Sequence, residues 1–324
     1  MPPFKVSVEV EAWPLKTAFV IARGAKTEAR VVVVTLADGT LTGRGECVPY
    51  ARYGETIESV IGQLDGASVL TDRAALASGM APGAARNALD CALWDLECKR
   101  QGRPAAEIAN CPLIQPVETC FTLSLASPAE MAAAARAVPH LKLLKLKLGG
   151  DGDPERMAAV RQARPDARIV ADANEAWTPR MLVPHLKSAA EAGIELIEQP
   201  LPAGSDAILA EIDHPVAICA DESAHTSADL DRISDLYEAV NIKLDKAGGL
   251  TEALTMARGA QDLGLDIMAG CMVATSLAMA PALLIAGYAR WVDLDGPLLL
   301  ASDRPGGLVI ENGIITPPSK ELWG

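Results

Sequence analysis

From Val117 onward, short apolar runs alternate with amphipathic stretches at a nearly constant interval. The runs are Val117 to Leu123, Leu143 to Leu148, Arg168 to Asn174, Ile194 to Gln199, Val216 to Glu222, Ala239 to Lys246, Asp266 to Met272 and Tyr288 to Asp295. Their near-continuous apolar character predicts strands of a parallel sheet, buried on both faces. Helical periodicity fills the gaps at Pro128 to Ala137, Asp153 to Arg164, Pro179 to Ala192, Ala228 to Asp235, Leu250 to Leu263 and Thr275 to Ala286. Eight such repeats predict an α/β fold, a (β/α)8-type barrel with room for one irregular unit.

The first hundred or so residues follow another order. Phe4 to Trp13, Arg30 to Ala37 and Leu41 to Val48 read as strands, and a helix follows from Pro82 to Gln101, with proline in its first turn and Gly102 at its end. Strands segregated from helices predict an α+β module. Strand-like patterning returns at Leu308 to Thr316 around a turn at Glu311-Asn312-Gly313, so the tail is expected to leave the barrel and pair back onto the first module. The expected division is a capping domain over 1–115, completed by 306–324, and a catalytic barrel over 116–305.

Composition then excludes several classes. The chain has 324 residues, half of them hydrophobic, enough for a barrel and a smaller domain. A net charge of −13 argues against nucleic acid or anionic membrane as a partner, since both require clustered cations. Met1 to Val10 lacks the apolar core of a signal peptide, and no run is long enough to span a bilayer, so the expected location is the cytoplasm. Seven cysteines without paired metal-ligand spacing suit reduced, buried thiols.

Polar landmarks close the apolar runs: Lys147, Asp172, Glu198, Asp221, Lys246 and Asp295, separated by 25, 26, 23, 25 and 49 residues. That stride is one βα unit, which places the groups at equivalent strand ends around one barrel mouth. Asp172, Glu198 and Asp221 on consecutive strands would repel one another unless a hard divalent cation sat between them, and an all-oxygen set favours Mg2+. Lys145 and Lys147 share a strand face, and Lys246 closes a strand on the opposite side, so two amines can approach one substrate carbon from both faces. A nearby dication and a second lysine bring an amine toward useful basicity.

Five local sequences resemble the enolase superfamily, and within it the dipeptide epimerases of the muconate-lactonising-enzyme subgroup. They are Lys145-Leu146-Lys147-Leu148-Gly149, Asp172-Ala173-Asn174-Glu175-Ala176-Trp177, Ile197-Glu198-Gln199-Pro200-Leu201, Ala220-Asp221-Glu222-Ser223 and Asn241-Ile242-Lys243-Leu244-Asp245-Lys246-Ala247-Gly248-Gly249. The resemblance implies one Mg2+ per active site on Asp172, Glu198 and Asp221, with Lys147 and Lys246 as paired acid/base catalysts and Lys145 as a supporting cation. It also implies 1,1-proton transfer through an enediolate. Asn174 and Gln199 fit the shell behind the ligands. Lys243 and Asp245 flank the catalyst, and a structural role for them is as open as a catalytic one.

Asp293 and Asp295 put two further carboxylates on one strand face. Dipeptide epimerases use such an Asp-x-Asp to hold the α-ammonium of the substrate. Two cap segments, Phe19 to Gly24 and Pro49 to Glu55, resemble those that grip the C-terminal residue in L-Ala-D/L-Glu epimerases, and Arg23 is the candidate for a glutamate side chain. Met272 and Ser276 are candidate pocket residues, although core packing accounts for a methionine equally well. The expectation is an isomerase acting on a small dipeptide such as L-Ala-D-Glu, in the reuse of murein peptides, with homo-oligomerisation left open. Alternatives are an epimerase of other dipeptides, an N-acylamino-acid racemase, an o-succinylbenzoate synthase, or a non-catalytic metal-binding barrel.

Overall fold

The structure, a computed structural model, describes residues 4–66 and 72–324. Three antiparallel strands open the chain: β1 (Lys5–Ile21), β2 (Gly24–Ala37) and β3 (Thr42–Cys47), in that order across the sheet. β1 and β2 run further than their patterning predicts. A register shift between Pro14 and Phe19 carries the pair on to a tight turn at Ala22-Arg23, so the expected Phe19 to Gly24 loop is the tip of a long hairpin. Helices α1 (Ile57–Asp65), α2 (Arg73–Gly79), α3 (Ala84–Gln101) and α4 (Ala105–Ala109) complete the cap. α3 packs on β3 and buries most of its length, including Arg86, Asn87, Asp90 and Asp95.

β4 (Val117–Glu118) and β5 (Phe121–Leu123) divide what patterning joined into one strand. β5 starts the barrel, whereas β4 pairs antiparallel with the tail. Seven parallel strands follow β5: β6 (Leu143–Lys147), β7 (Arg168–Asp172), β8 (Leu196–Glu198), β9 (Ala217–Ala220), β10 (Ala239–Lys243), β11 (Asp266–Gly270) and β12 (Trp291–Asp293). Cys120 N donates to Val292 O at 2.7 Å, bringing the two edges together. The outer layer is α5 (Pro128–Ala137), α6 (Asp153–Ala163), α7 (Pro179–Glu191), α8 (Leu230–Ser234), α9 (Leu244–Ala247), α10 (Leu250–Asp262), α11 (Ser276–Ala286) and α12 (Gly296–Leu299). α5 begins at a capping box, Ser127 with Glu130, reinforced by Pro128 in the first turn. The irregular unit follows β8, where a 3₁₀ turn at Ala207–Glu211 replaces a helix.

The tail also differs from expectation in its partner. Its hairpin, β13 (Ile310–Glu311) and β14 (Ile314–Ile315), pairs with β4 and not with the cap sheet. The last residues do reach the cap: Trp323 Nε1 donates to Cys91 O at 3.0 Å, Gly324 N to Asp95 Oδ1 at 2.9 Å, and Arg44 Nη2 to Leu322 O at 2.9 Å. All seven cysteines are free. No helix among the described residues is long and apolar enough to cross a membrane.

Candidate active site

A cavity of about 930 Å³ opens where the cap covers the carboxyl ends of the barrel strands. Around an eight-stranded ring, β6 stands opposite β10 and β8 opposite β12. Lys147 ends β6 and Lys243 ends β10, so these two lysines face the cavity from opposite sides. Asp172, Glu198 and Asp221 lie at the ends of β7, β8 and β9 along the arc between them, all nearly inaccessible to solvent. Asp293 and Asp295, at β12, line the cavity across from Glu198.

Each acid is met by an ammonium group. Lys147 Nζ lies 2.5 Å from Asp172 Oδ2, and Lys243 Nζ lies 2.6 Å from Asp221 Oδ2 and 3.5 Å from Glu198 Oε1. Lys145 spans the barrel, 2.5 Å from Glu198 Oε2 and 2.6 Å from Asp293 Oδ2. Burial raises the pKa of Asp172, but Lys147, Lys145 and Lys243 outweigh it and hold the group at about 2. Burial likewise opposes charge on Lys243, yet Asp221 and Glu198 overcome it and keep the ammonium form.

Lys246 has a different place from the one its spacing suggests. β10 ends at Lys243, the chain turns at once into α9, and the Lys246 ammonium swings behind the mouth to donate to Asp221 O at 2.5 Å, Asp221 Oδ1 at 2.6 Å and Asn241 O at 3.0 Å. It does not line the cavity. The missed signal is strand alternation: Asn241 points inward, its amide on Glu198 Oε1 at 2.7 Å, and its inward successor is Lys243. Gly270 on β11 leaves room for Asn241, since a Cβ there would fall 2.2 Å from Asn241 Oδ1.

The shell behind these groups is locked. Asn174 Nδ2 donates to Asp172 Oδ2 at 3.1 Å, and Gln199 Oε1 accepts from Asp221 N at 2.9 Å and Ser223 N at 3.1 Å. Asn174, Glu175 and Gln199 have φ of 46°, 65° and 34°, a left-handed conformation that concentrates backbone strain just past β7 and β8. Asp245 turns away to the cap, its Oδ1 accepting from Val48 N and Asn87 Nδ2.

Arg23 reaches the cavity from the hairpin tip, donating to Glu222 Oε1 at 2.7 Å and Asn174 O at 2.9 Å. Arg52 binds Glu175 through two hydrogen bonds of 2.8 Å. Motif reasoning does not single out Glu175, Glu222 and Arg52, because only the folded cap brings them together. Burial and the neighbouring Asp221 and Asp172 push Glu222 up to about 8. Met272 lines the cavity, whereas Ser276 is buried in hydrogen bonds to Asp303 and Leu308 N. Asp295 Oδ2 accepts from Thr122 N at 2.7 Å, and its side chain does not cap α12 although it stands at that helix's start.

Among the described residues no three His, Cys, Asp or Glu side chains are grouped to hold a metal ion as they stand, and lysine ammonium groups lie between the acids. The donor set nonetheless fits a hard cation. All three groups offer oxygen, and they stand close enough to share cations: Lys145 Nζ is 3.5 Å from Asp172 Oδ2 and 2.5 Å from Glu198 Oε2, and Lys243 Nζ lies between Glu198 and Asp221.

A capped barrel with acids on consecutive strands and lysines on opposing ones sets proton carriers on two sides of one cavity, which defines a class: enzymes that work by acid/base proton transfer. The chain belongs to the mandelate racemase/muconate lactonizing enzyme family. The N-terminal domain model of that family matches residues 4–109, and the enolase C-terminal domain-like model matches residues 128–321. It is 46% identical over 316 residues to an L-Ala-D/L-Glu epimerase of Escherichia coli strain K12, covering 95% of this chain and 98% of that one. It is 44% identical over 302 residues to an N-acetyl-D-glutamate racemase of a Pseudoalteromonas species, covering 91% and 95%. The crystal structure of an enolase family member from Agrobacterium tumefaciens, with homology to dipeptide epimerases and with bound sodium and L-Ala-L-Glu, superposes with a TM-score of 0.97 at 52% identity, covering 99% and 100%.

Proposed function

We propose that the protein is an L-Ala-D/L-Glu epimerase that inverts the glutamate α-carbon by passing protons through Lys147 and Lys243. The observation that carries this reading is the placement of those two lysines on opposite strands, with the acids of β7 to β9 on one side and the Asp293/Asp295 pair on the other. Asp172, Glu198 and Asp221 would hold Mg2+. Bound there, the ion would supply positive charge to the substrate carboxylate and would offset the acids that otherwise keep Lys243 protonated. One lysine, neutral, takes the α-proton; the other, as ammonium, returns a proton to the opposite face, so the reaction is balanced without a co-reactant. Lys246 supports Asp221 and does not touch substrate in this scheme.

Specificity follows from charge. The dipeptide ammonium pairs with Asp293 and Asp295, and Asp293 Oδ1 is buried without a hydrogen-bond partner, ready for a donor. Arg23, pinned by Glu222 but still facing the cavity, receives the glutamate side chain. Such a substrate arises from murein breakdown, and seven unpaired thiols suit a reducing cytoplasm.

Assays of L-Ala-L-Glu, L-Ala-L-Phe and N-acetyl-L-glutamate with Mg2+ test the assignment. Turnover of L-Ala-L-Glu should lead by about tenfold or more, because the acyl compound brings no ammonium group to the buried Asp293 Oδ1 and Asp295. Preference for N-acetylglutamate would overturn the role given to Asp293 and Asp295.

A further inference from the structure

We propose that cap helix α3 is a positioning element for Lys243, through the turn that directly follows that lysine; this rests on the two-lysine reading above. One face of α3 is committed to that turn. Asn87 Nδ2 donates to Asp245 Oδ1 at 2.9 Å, Arg86 donates to Ala247 O at 2.6 Å and Gly248 O at 2.9 Å, and Asp90 accepts from Thr251 N at 2.9 Å and Thr251 Oγ1 at 2.6 Å. Val48 N, just past β3, adds a second donor to Asp245 Oδ1 at 3.0 Å. Arg86, Asn87, Asp90 and Asp245 are all buried, so these bonds are shielded from competing water.

The fit is close. Gly248 and Gly249 have φ of 79° and 119°, and a Cβ at either would come within 2.5 Å of Arg86 Nε or Asp90 Cβ respectively. Any side chain there would push α3 off the turn.

Lys147 is braced differently. The turn after it is held by Asp153 of the barrel's own α6, whose carboxylate accepts from Gly149 N at 2.9 Å and Gly150 N at 2.7 Å and is fixed in turn by Trp177 Nε1 at 2.8 Å. One lysine is therefore set by the barrel and the other by the cap. Loosening α3 should disturb one face of the substrate carbon and spare the other.

The test is α-proton exchange in D2O measured separately from L-Ala-L-Glu and L-Ala-D-Glu, with Lys147→Ala and Lys243→Ala identifying which epimer each lysine serves. Asn87→Leu should slow exchange from the Lys243 epimer by about ten- to hundredfold while the other epimer stays within about twofold and KM changes little. Asp245→Asn, which keeps the Oδ1 acceptor, should retain near wild-type exchange from both. Should Asn87→Leu fail to fold, Asn87→Ala removes the same donor in a smaller side chain and makes the same comparison. If Lys243→Ala is epimer-selective but the Asn87 variants slow both epimers equally, or neither, the positioning role is wrong. If Lys243→Ala leaves exchange from both epimers intact, the two-lysine reading falls and takes this inference with it.

Discussion

The two ends of the barrel are built on the same strands and do opposite things. At the amino ends, Leu143, Val170, Leu196, Cys219, Ala239, Met268 and Trp291 form one buried apolar cluster. Two residues further along those strands stand Lys145, Asp172, Glu198, Asp221, Asn241, Gly270 and Asp293. Side chains two apart on a strand share a face, so the interior changes from hydrocarbon to charge within one pleat repeat, about 7 Å. The apolar layer stabilises by leaving water, while the charged layer persists because each acid has an ammonium partner, an arrangement that serves chemistry more than stability. Stability and reaction are thus assigned to different layers of one scaffold.

The sharpest break in that comparison comes from the mouth. Lys147→Ala and Lys243→Ala should each reduce epimerisation by about a thousandfold or more, whereas Lys246→Ala should leave measurable turnover and mainly weaken Mg2+ binding through Asp221; steady-state rates and calorimetric titration read both. At the opposite end, Trp291→Ala should cost about 3–5 kcal/mol in urea unfolding yet leave kcat within about threefold where the protein remains folded. A large loss of kcat in that variant would show that the layers are not separable.

Smaller effects sharpen the picture of the cap and β12. Arg23→Ala should raise KM for L-Ala-L-Glu about ten- to a hundredfold and leave L-Ala-L-Ala nearly unchanged, as expected for one charge-assisted pair. Burial and the adjacent Asp293 push Asp295 up to about 7. The ionised form binds an ammonium, so KM for the dipeptide should rise as pH falls through about 7 and improve above it. Asp295→Asn should flatten that profile.

Much of this is legible before folding, and the reasons differ by element. Asp172, Glu198 and Asp221 stand out because helix capping or a surface ion pair accounts for one acid at the end of an apolar run, but not for acids on three successive strands. Lys243 is harder to find: counting a constant stride picks Lys246, because the stride measures βα units and cannot tell the last strand residue from the first turn of α9. The break of Val117 to Leu123 into two strands is set by the tail hairpin, a partner almost two hundred residues away in sequence. The Arg23, Arg52, Glu175 and Glu222 cluster joins two cap loops to two barrel loops, and loop geometry has no periodicity to read.

The central claim is a proton moved at the glutamate α-carbon from either face. Proton NMR of L-Ala-L-Glu and L-Ala-D-Glu in D2O, with enzyme and Mg2+, tests it most directly. Loss of the glutamate α-proton signal from both compounds with conversion of each into the other, halted by removing Mg2+, is the predicted result. Retention of that signal in both, with enzyme folded and Mg2+ present, would contradict the account.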